Sequence, residues 1–209
     1  MSSWSGSPAV PHPGSTDVLS TRLLGATLLR PFWRGWLERL ELEGGERVLD
    51  FGSGSGQLSR RIALAVGGAG RLSCLDISPR WLELARVEMA DLPWVDFHLG
   101  VLSQMPRGEY DLVHAHYVLH EIRPGMRGQV AEELTARLKP AGRLGIREPL
   151  YYNMLDWKEL LEIFGRTGLA LVRPPERHWW LAGPVIELIL QHRVSPRPPP
   201  PRRTVTEAD

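Results

Sequence analysis

The sequence predicts a single α/β domain in which a mostly parallel sheet carries helices on both faces. Short apolar runs typical of buried strands alternate with segments whose apolar residues return at helical spacing, the pattern of a parallel sheet with crossover helices. The chain has 209 residues, which suits one domain with one hydrophobic core. Its 43% hydrophobic and 23% charged residues are ordinary for a globular protein, which argues against a disordered or fibrous class.

Charge and cysteine content argue against several kinds of partner. The formal net charge of +1 creates no field that would gather nucleic acid, so we expect no nucleic-acid partner. Cys74 is the single cysteine, which leaves neither an intrachain disulfide nor a thiolate metal cluster. The sequence shows no signal peptide and no apolar stretch of roughly 18 residues, so we expect no membrane span and a cytoplasmic location.

Both ends of the chain differ in composition from its centre. Residues 1–14 are rich in Ser, Gly and Pro without apolar periodicity, and we expect a disordered arm. Residues 15–42 show helical spacing, with Pro31 placed to begin a second helix, and are predicted to form a helical lid or flank. Residues 195–209 contain a proline run followed by polar residues, which predicts a disordered tail. The domain is therefore predicted over residues 15–194.

Strands and helices alternate after this flank. Strands are predicted over residues 47–51, 71–76, 95–100, 110–115 and 143–148, with two closing strands over 169–172 and 185–190. Helices are predicted over residues 57–66, 79–90, 127–138 and 156–166. Ligands of such sheets bind beyond the carboxyl ends of the strands, so we expect functional residues in the turns that follow the strands.

The turn after the first strand is rich in glycine and follows an acid. Asp50 precedes Gly52, Gly54 and Gly56, which let the main chain turn sharply and come within contact distance of a ligand. The spacing G-x-G-x-G differs from the G-x-G-x-x-G of dinucleotide enzymes. A carboxylate at residue 50 would repel a pyrophosphate but suits a ligand with a cationic amino-acid end. The turn therefore points away from a nicotinamide cofactor.

A second acid ends the next strand. Asp76 is followed by Ile77, Ser78 and a predicted helix. A carboxylate at this place can accept hydrogen bonds from both hydroxyl groups of a ribose. The first two turns together therefore describe one nucleoside ligand.

In this order, these residues resemble the class I S-adenosylmethionine-dependent methyltransferases. Residues 110–113 and 138–144 agree further, the latter with the family's Lys-Pro-Gly-Gly turn except for Ala141. The resemblance implies a Rossmann-like fold, a seven-stranded, mostly parallel sheet with an antiparallel last strand, and S-adenosylmethionine as cofactor. The cofactor-binding residues that it implies are Asp50, Gly52, Ser53, Gly54, Gly56, Asp76, Ile77, Gly100, Val101, Leu102 and His116.

One position departs from the family pattern. Many members carry an acid after the glycine of the third-strand turn, where it accepts a hydrogen bond from the adenine amino group, but here Val101 follows Gly100. We therefore expect adenine recognition to rest on the backbone of Val101 and Leu102 and on apolar contact.

The turns after the fourth and fifth strands are expected to face the transferred methyl group. If the acceptor is a hydroxyl, a base must remove its proton, and the candidates are His116 and His120. The residues predicted to contact the substrate are Tyr117, Glu121, Glu148 and Tyr152. Trp179 and Trp180 offer an aromatic wall for a planar acceptor or plain packing. No metal site is predicted.

The predicted function is methyl transfer to an oxygen, nitrogen or carbon of a small molecule. The main alternative is a catalytically silent S-adenosylmethionine-binding or scaffold protein, suggested by Val101 and by the proline- and arginine-rich residues 196–203. Aminopropyl transfer lacks the expected acidic pattern after the fourth strand, and a nicotinamide-dependent enzyme is disfavoured by the glycine spacing.

Overall fold

The computed structural model describes residues 30–150, 155–180 and 183–193, so the predicted arm 1–14 and tail 195–209 lie outside the described residues. Strands run over Arg47–Phe51 (β1), Arg71–Asp76 (β2), Val95–Leu99 (β3), Tyr110–His116 (β4), Leu138–Pro149 (β5), Leu169–Leu171 (β6), Glu176–Trp180 (β7) and Gly183–His192 (β8). Helices run over Arg30–Leu40 (α1), Gln57–Val66 (α2), Pro79–Glu88 (α3), Pro124–Arg137 (α4) and Trp157–Arg166 (α5). Single 3₁₀ turns cover Leu102–Gln104 and Leu119–Glu121.

The strands form one eight-stranded sheet with the order β3-β2-β1-β4-β5-β8-β6, in which β7 also pairs with β8. Strands β1 to β5 are parallel to their neighbours. Strand β8 runs antiparallel to both β5 and β6. The predicted α/β class, the parallel sheet and the antiparallel last strand are therefore confirmed, and the arrangement is Rossmann-like.

Strand β7 is the element that the sequence analysis missed. It pairs antiparallel with residues 183–187 of β8, and β6 pairs with residues 190–192 of the same strand. Glu176 lies opposite Glu187, and Trp179 lies opposite Pro184. Its side chains show no apolar alternation, and Trp179 is 84% exposed. An edge strand has only one neighbour and needs no buried face along its whole length, so the pattern that reveals central strands is missing here.

Local signals explain where the helices begin. Gly56 adopts a left-handed φ of 80° directly before α2. The hydroxyl of Ser78 caps α3, and Asp156 caps α5. Helix α4 begins at Pro124, earlier than predicted, because a proline in the first helical turn loses no hydrogen bond. No helix in the described part of the chain is long and apolar enough to cross a membrane.

Helices cover both faces of the sheet and divide the core in two. On one face, α4 and α5 pack on alternate side chains of the central strands, with a core that includes Leu49, Val113, Leu134, Leu144, Ile146 and Phe164. On the other face, α1, α2 and α3 cover the intervening side chains, with a core that includes Trp36, Leu40, Val48, Ile62, Leu112 and Ile189. Residues of one strand therefore alternate between two separate cores, as the pleat requires.

Helix α1 forms the described part of the predicted helical flank and is fastened to β5. Trp36 and Leu40 are fully buried, and both lie against Gly145, where a Cβ atom would come within 2.5 Å of a methyl group of Leu40. The guanidinium of Arg143 donates to the carbonyl of Leu40 at 2.7 Å and pairs with Glu46 at 2.6 Å. The glycine in β5 thus allows the helix to approach the sheet closely.

This packing predicts opposite effects for two glycine substitutions. Gly145→Val is expected to lower the free energy of unfolding by about 1–3 kcal/mol, because it overpacks the contact with α1. Gly35→Ala, on the exposed side of α1 where nothing lies within 4 Å, is expected to raise the free energy of unfolding by roughly 0.5–1 kcal/mol through helix propensity. Urea denaturation of both variants measures these changes, and an unchanged Gly145→Val would show that α1 does not pack on β5.

Candidate cofactor and acceptor site

The sheet gathers most of the predicted site residues at one edge. Strands β1 to β5 run parallel, so the turns that follow them lie side by side at their carboxyl ends. These turns contain residues 52–56, 77–78, 100–102 and 117–121. Tyr152 falls outside the described residues, as does Tyr151. Not every predicted side chain at this edge faces outward.

Three left-handed glycines shape the first turn, at φ values of 73°, 55° and 80° for Gly52, Gly54 and Gly56. A Cβ atom at Gly52 would lie 2.6 Å from Val118, and one at Gly56 would lie 2.9 Å from Ala85. A Cβ atom at Gly54 would meet nothing within 4 Å. The outer two glycines are therefore needed for packing inside the protein, whereas Gly54 leaves main chain open to a ligand.

Asp50 points into the protein rather than toward a ligand. Its side chain is buried, and its two oxygens accept hydrogen bonds from Ser59 Oγ at 2.5 Å and from His114 Nδ1 at 2.7 Å. His114 Nε2 in turn accepts from the indole N–H of Trp36 at 2.9 Å, which puts the imidazole proton on Nδ1. Asp50 thus supports the glycine turn from inside the protein. Its geometry does not support direct contact with a cationic ligand group.

Asp76 joins the first and second turns. Its two carboxylate oxygens accept from the backbone N–H groups of Ser78 at 2.8 Å and Gly54 at 2.9 Å. Burial raises the pKa of Asp76 above its ordinary value, although both backbone donors act in the opposite direction. Each carboxylate oxygen has a further lone pair, so the group can still accept hydrogen bonds from hydroxyls at the sheet edge.

Apolar side chains lie exposed next to Asp76. Ile77 is 51% exposed and Leu99, at the end of β3, is 54% exposed. Large exposed aliphatic side chains beside a buried carboxylate are the surface that the flat face of a nucleoside base would cover. Open main chain at Gly54, the Asp76 carboxylate and Ile77 together fit a nucleoside that carries an amino-acid end.

The third turn contains a contact that the sequence analysis missed. The backbone N–H of Val101 donates to the side-chain oxygen of Gln104 at 3.3 Å. Leu102 is buried, and its carbonyl accepts from Arg137 at 2.6 Å. The sequence signal for this contact is Gln104, three residues after Val101, because a capping box has the same spacing. Side-chain contact of Leu102 with the cofactor is therefore not supported.

His116 ends β4 and lies between the glycine turn and β5. Its Nε2 is buried and makes no hydrogen bond within the described residues. Its ring lies against that of Tyr117, tilted by 31° with a centroid distance of 4.4 Å, and Tyr117 has a strained, left-handed φ of 55°. Burial lowers the pKa of His116 well below its usual value, and the positive charge of Arg147 lowers it further. His116 is therefore an unprotonated imidazole at neutral pH.

His120 and Glu148 form a buried pair that shapes the turn after β4. The Glu148 carboxylate is fully buried and accepts from the backbone N–H groups of Val118 and Leu119, each at 2.8 Å, and from His120 Nδ1 at 2.7 Å. His120 Nε2 lies 3.1 Å from the exposed carboxylate of Glu121. Burial lowers the pKa of His120, but its hydrogen bond to Glu148 and both acids outweigh burial and raise it. Glu148 thus positions the turn instead of reaching a substrate.

A cavity of about 610 Å³ opens between α1 and strands β5, β7 and β8. Across the sheet, His116 stands opposite Arg147, Arg147 opposite Glu187, and Glu187 opposite Glu176, so one polar row leads from β4 into the cavity. The side chains that line it are Trp36, Glu38, Arg39, Arg147, Arg173, Glu176, His178, Trp179 and Glu187. The sequence analysis named Trp179 as a possible wall or a packing residue but missed the cavity.

Charges inside this cavity are arranged around Glu187. Its carboxylate lies 3.0 Å from the guanidinium of Arg147 and 3.2 Å from that of Arg39. Burial lowers the pKa of Arg147 to about 10, which still leaves the guanidinium charged at neutral pH. Glu176, His178 and Glu187 bring potential ligand atoms within 4.8 Å of one another, but the two arginines already balance the buried carboxylate, so a metal ion is not supported.

Comparisons with known proteins agree with this geometry. Residues 48–142 match a family model described as a methyltransferase domain. Ribosomal protein L11 methyltransferase of Burkholderia thailandensis is 33% identical over 149 residues, covering 71% of this chain and 46% of the relative. The chain therefore spans about half the length of such relatives.

Solved structures share the fold. A SAM-dependent methyltransferase from Aquifex aeolicus superposes with a TM-score of 0.69 at 18% identity, over 83% of this chain and 97% of that one. Magnesium protoporphyrin IX methyltransferase from Synechocystis PCC 6803, solved with bound SAM, superposes with a TM-score of 0.66 at 19% identity, over 87% of this chain and 86% of that one.

The parallel sheet, the glycine turn and the acid after β2 define a Rossmann-like domain that binds a nucleoside ligand. With the match of residues 48–142 to a methyltransferase domain, they confirm the predicted resemblance to the class I S-adenosylmethionine-dependent methyltransferases and support S-adenosylmethionine as the cofactor.

The raised pKa of His120 predicts a pH-dependent stability. A histidine whose pKa is higher in the folded state stabilises the fold fully below its unfolded pKa of about 6.5, and this contribution is lost as the pH rises through the folded pKa. The difference in unfolding free energy between wild type and His120→Gln is therefore expected to be largest near about pH 5.5 and to shrink toward about pH 8.5. Chemical denaturation across this range measures it, and a difference that grows with pH would contradict the assignment.

Proposed function

We propose that this domain transfers the methyl group of S-adenosylmethionine to a small-molecule acceptor bound in the cavity between α1 and strands β5, β7 and β8. The observation that carries the proposal is the cavity itself, whose volume of about 610 Å³ lies in the range of small-molecule sites. Arg147, Glu187 and Glu176 of the polar row line it, and the row begins at His116 of β4, at the carboxyl edge of the sheet. A substrate seated there would reach from the charged walls toward His116.

The chain's own residues align the reactants and hold a proton. S-adenosylmethionine supplies an activated methyl group on a sulfonium, so the protein contributes mainly alignment and exclusion of water. Asp76 and the main chain at Gly54 would hold the nucleoside. Nε2 of His116 has no hydrogen-bond partner in the described structure, and the lowered pKa favours the neutral ring, so this nitrogen would accept the acceptor's proton. His120 is the weaker candidate base because its raised pKa favours the imidazolium form.

A protein acceptor is the second candidate. Relatives such as that of Burkholderia thailandensis are named for methylation of ribosomal protein L11, although the chain spans only about half their length. A side chain of a folded protein would have to reach between α1 and β7 to the buried pair of Arg147 and Glu187 at the cavity's base. The cavity therefore favours a free small molecule.

Transfer of a labelled methyl group tests the proposal. The purified chain would be given S-adenosylmethionine labelled in its methyl group, with a filtered metabolite extract in one reaction and purified ribosomal protein L11 in another. Label in a small molecule is the expected result. Label in L11 alone would favour the protein acceptor, and label in neither would favour a catalytically silent cofactor-binding protein.

His116→Gln tests the assignment of the base. With an acceptor that must lose a proton, it is expected to lower kcat by roughly 10²–10⁴-fold while the affinity for S-adenosylhomocysteine changes little. The control is His192→Gln in β8, which pairs with Leu169 of β6 at the opposite end of the sheet. Equal kcat values for the two variants would exclude His116 as the base.

A further inference from the structure

The turn after β3 carries the side-chain amide of Gln104. Many family members have an acid at the position of Val101, and Val101 offers no such polar group. The side chain of Gln104 lies over Gly100, so closely that a Cβ atom at residue 100 would collide with its Oε1, while Nε2 would lie 3.4 Å away. Oε1 accepts from the backbone N–H of Val101 at 3.3 Å, and the side chain is otherwise exposed. The glycine and the backbone N–H together place the amide at the surface of the turn.

This turn adjoins the part of the sheet where the base of the cofactor has to lie. The backbone N–H of Gly100 donates to the carbonyl of Asp76 at 3.0 Å, which fixes the turn beside the carboxylate that would hold the ribose. The glycine turn lies on the β1 side of Asp76 and β3 lies on the other side. With the amino-acid end on the β1 side, the base falls over Ile77 and the turn that contains Gly100 and Gln104.

We propose that Gln104 recognises the adenine of S-adenosylmethionine, an assignment that rests on this compound being the cofactor. Adenine presents an amino donor beside ring-nitrogen acceptors, and a glutamine amide offers an acceptor and a donor with matching spacing. Oε1 has a second lone pair for the adenine amino group, and Nε2 donates to the neighbouring ring nitrogen. Gln104 thus supplies the polar side-chain contact that Val101 does not provide.

The contact with Val101 makes this recognition directional. A free amide could rotate by half a turn and bind hypoxanthine, which carries an oxygen in place of the amino group and a proton on the adjacent nitrogen. In this turn Oε1 of Gln104 accepts from the backbone N–H of Val101. Rotation of the amide would place Nε2 against that N–H, so two donors would meet and the hydrogen bond would be lost. The site is therefore expected to prefer adenine over hypoxanthine.

Calorimetric titration with S-adenosylhomocysteine and with its hypoxanthine counterpart, S-inosylhomocysteine, tests the proposal on the intact chain. The wild type is expected to bind the adenine compound roughly tenfold or more tightly. Gln104→Ala is expected to weaken that compound selectively and bring the two affinities within about threefold. Gln104→Glu, which keeps an acceptor for the Val101 N–H, is expected to retain the preference because a carboxylate accepts from the amino group and repels the oxygen.

Ser103→Ala, an exposed neighbour in the same turn, is the matched control and is expected to leave the affinity ratio unchanged. An equal loss of both ligands in Gln104→Ala would show that Gln104 only caps the turn, and equal affinities in the wild type would also overturn the proposal. Failure of the folded wild type to bind S-adenosylhomocysteine at all would instead overturn the cofactor assignment, which separates the two claims.

Discussion

The structure depends on one buried chain of hydrogen bonds at the base of the glycine turn. Trp36 of α1 donates to His114 of β4, His114 donates to Asp50 of β1, and Ser59 of α2 donates to the same carboxylate. A buried carboxylate is costly unless its lone pairs are filled, and here every partner comes from a different element. The arrangement therefore requires the helical flank, the two central strands and the first crossover helix to be in place together.

A second buried carboxylate, that of Glu148, fixes the turn that follows β4. It accepts hydrogen bonds from two backbone N–H groups of this turn and from the imidazole of His120. The pKa values of the two histidines at this edge shift in opposite directions. Its hydrogen bond to Glu148 and the two acids raise the pKa of His120, whereas burial and the charge of Arg147 lower the pKa of His116. The surroundings thus separate the pKa values of two nearby histidines, and the one with the lowered pKa is the better candidate to accept a proton at neutral pH.

The parts of the site that could be predicted are those encoded locally. The glycine turn and Asp76 were predicted because a turn with left-handed residues and an acid after a strand are short-range patterns. The inward direction of Asp50 and Glu148 could not be predicted, because it is set by His114 and by backbone groups that only strand register brings near. The cavity was missed because its walls come from four elements, one of them the edge strand β7, which lacks apolar alternation.

The central claim is that the carboxyl edge of β1 and β2 holds S-adenosylmethionine with its methyl group toward His116 and the cavity. A crystal structure of the chain with S-adenosylhomocysteine tests this most directly. The account predicts ribose hydroxyls on the Asp76 carboxylate, ligand against the main chain at Gly54, and the sulfur beside His116. A ligand bound elsewhere, or with its ribose away from Asp76, would contradict it.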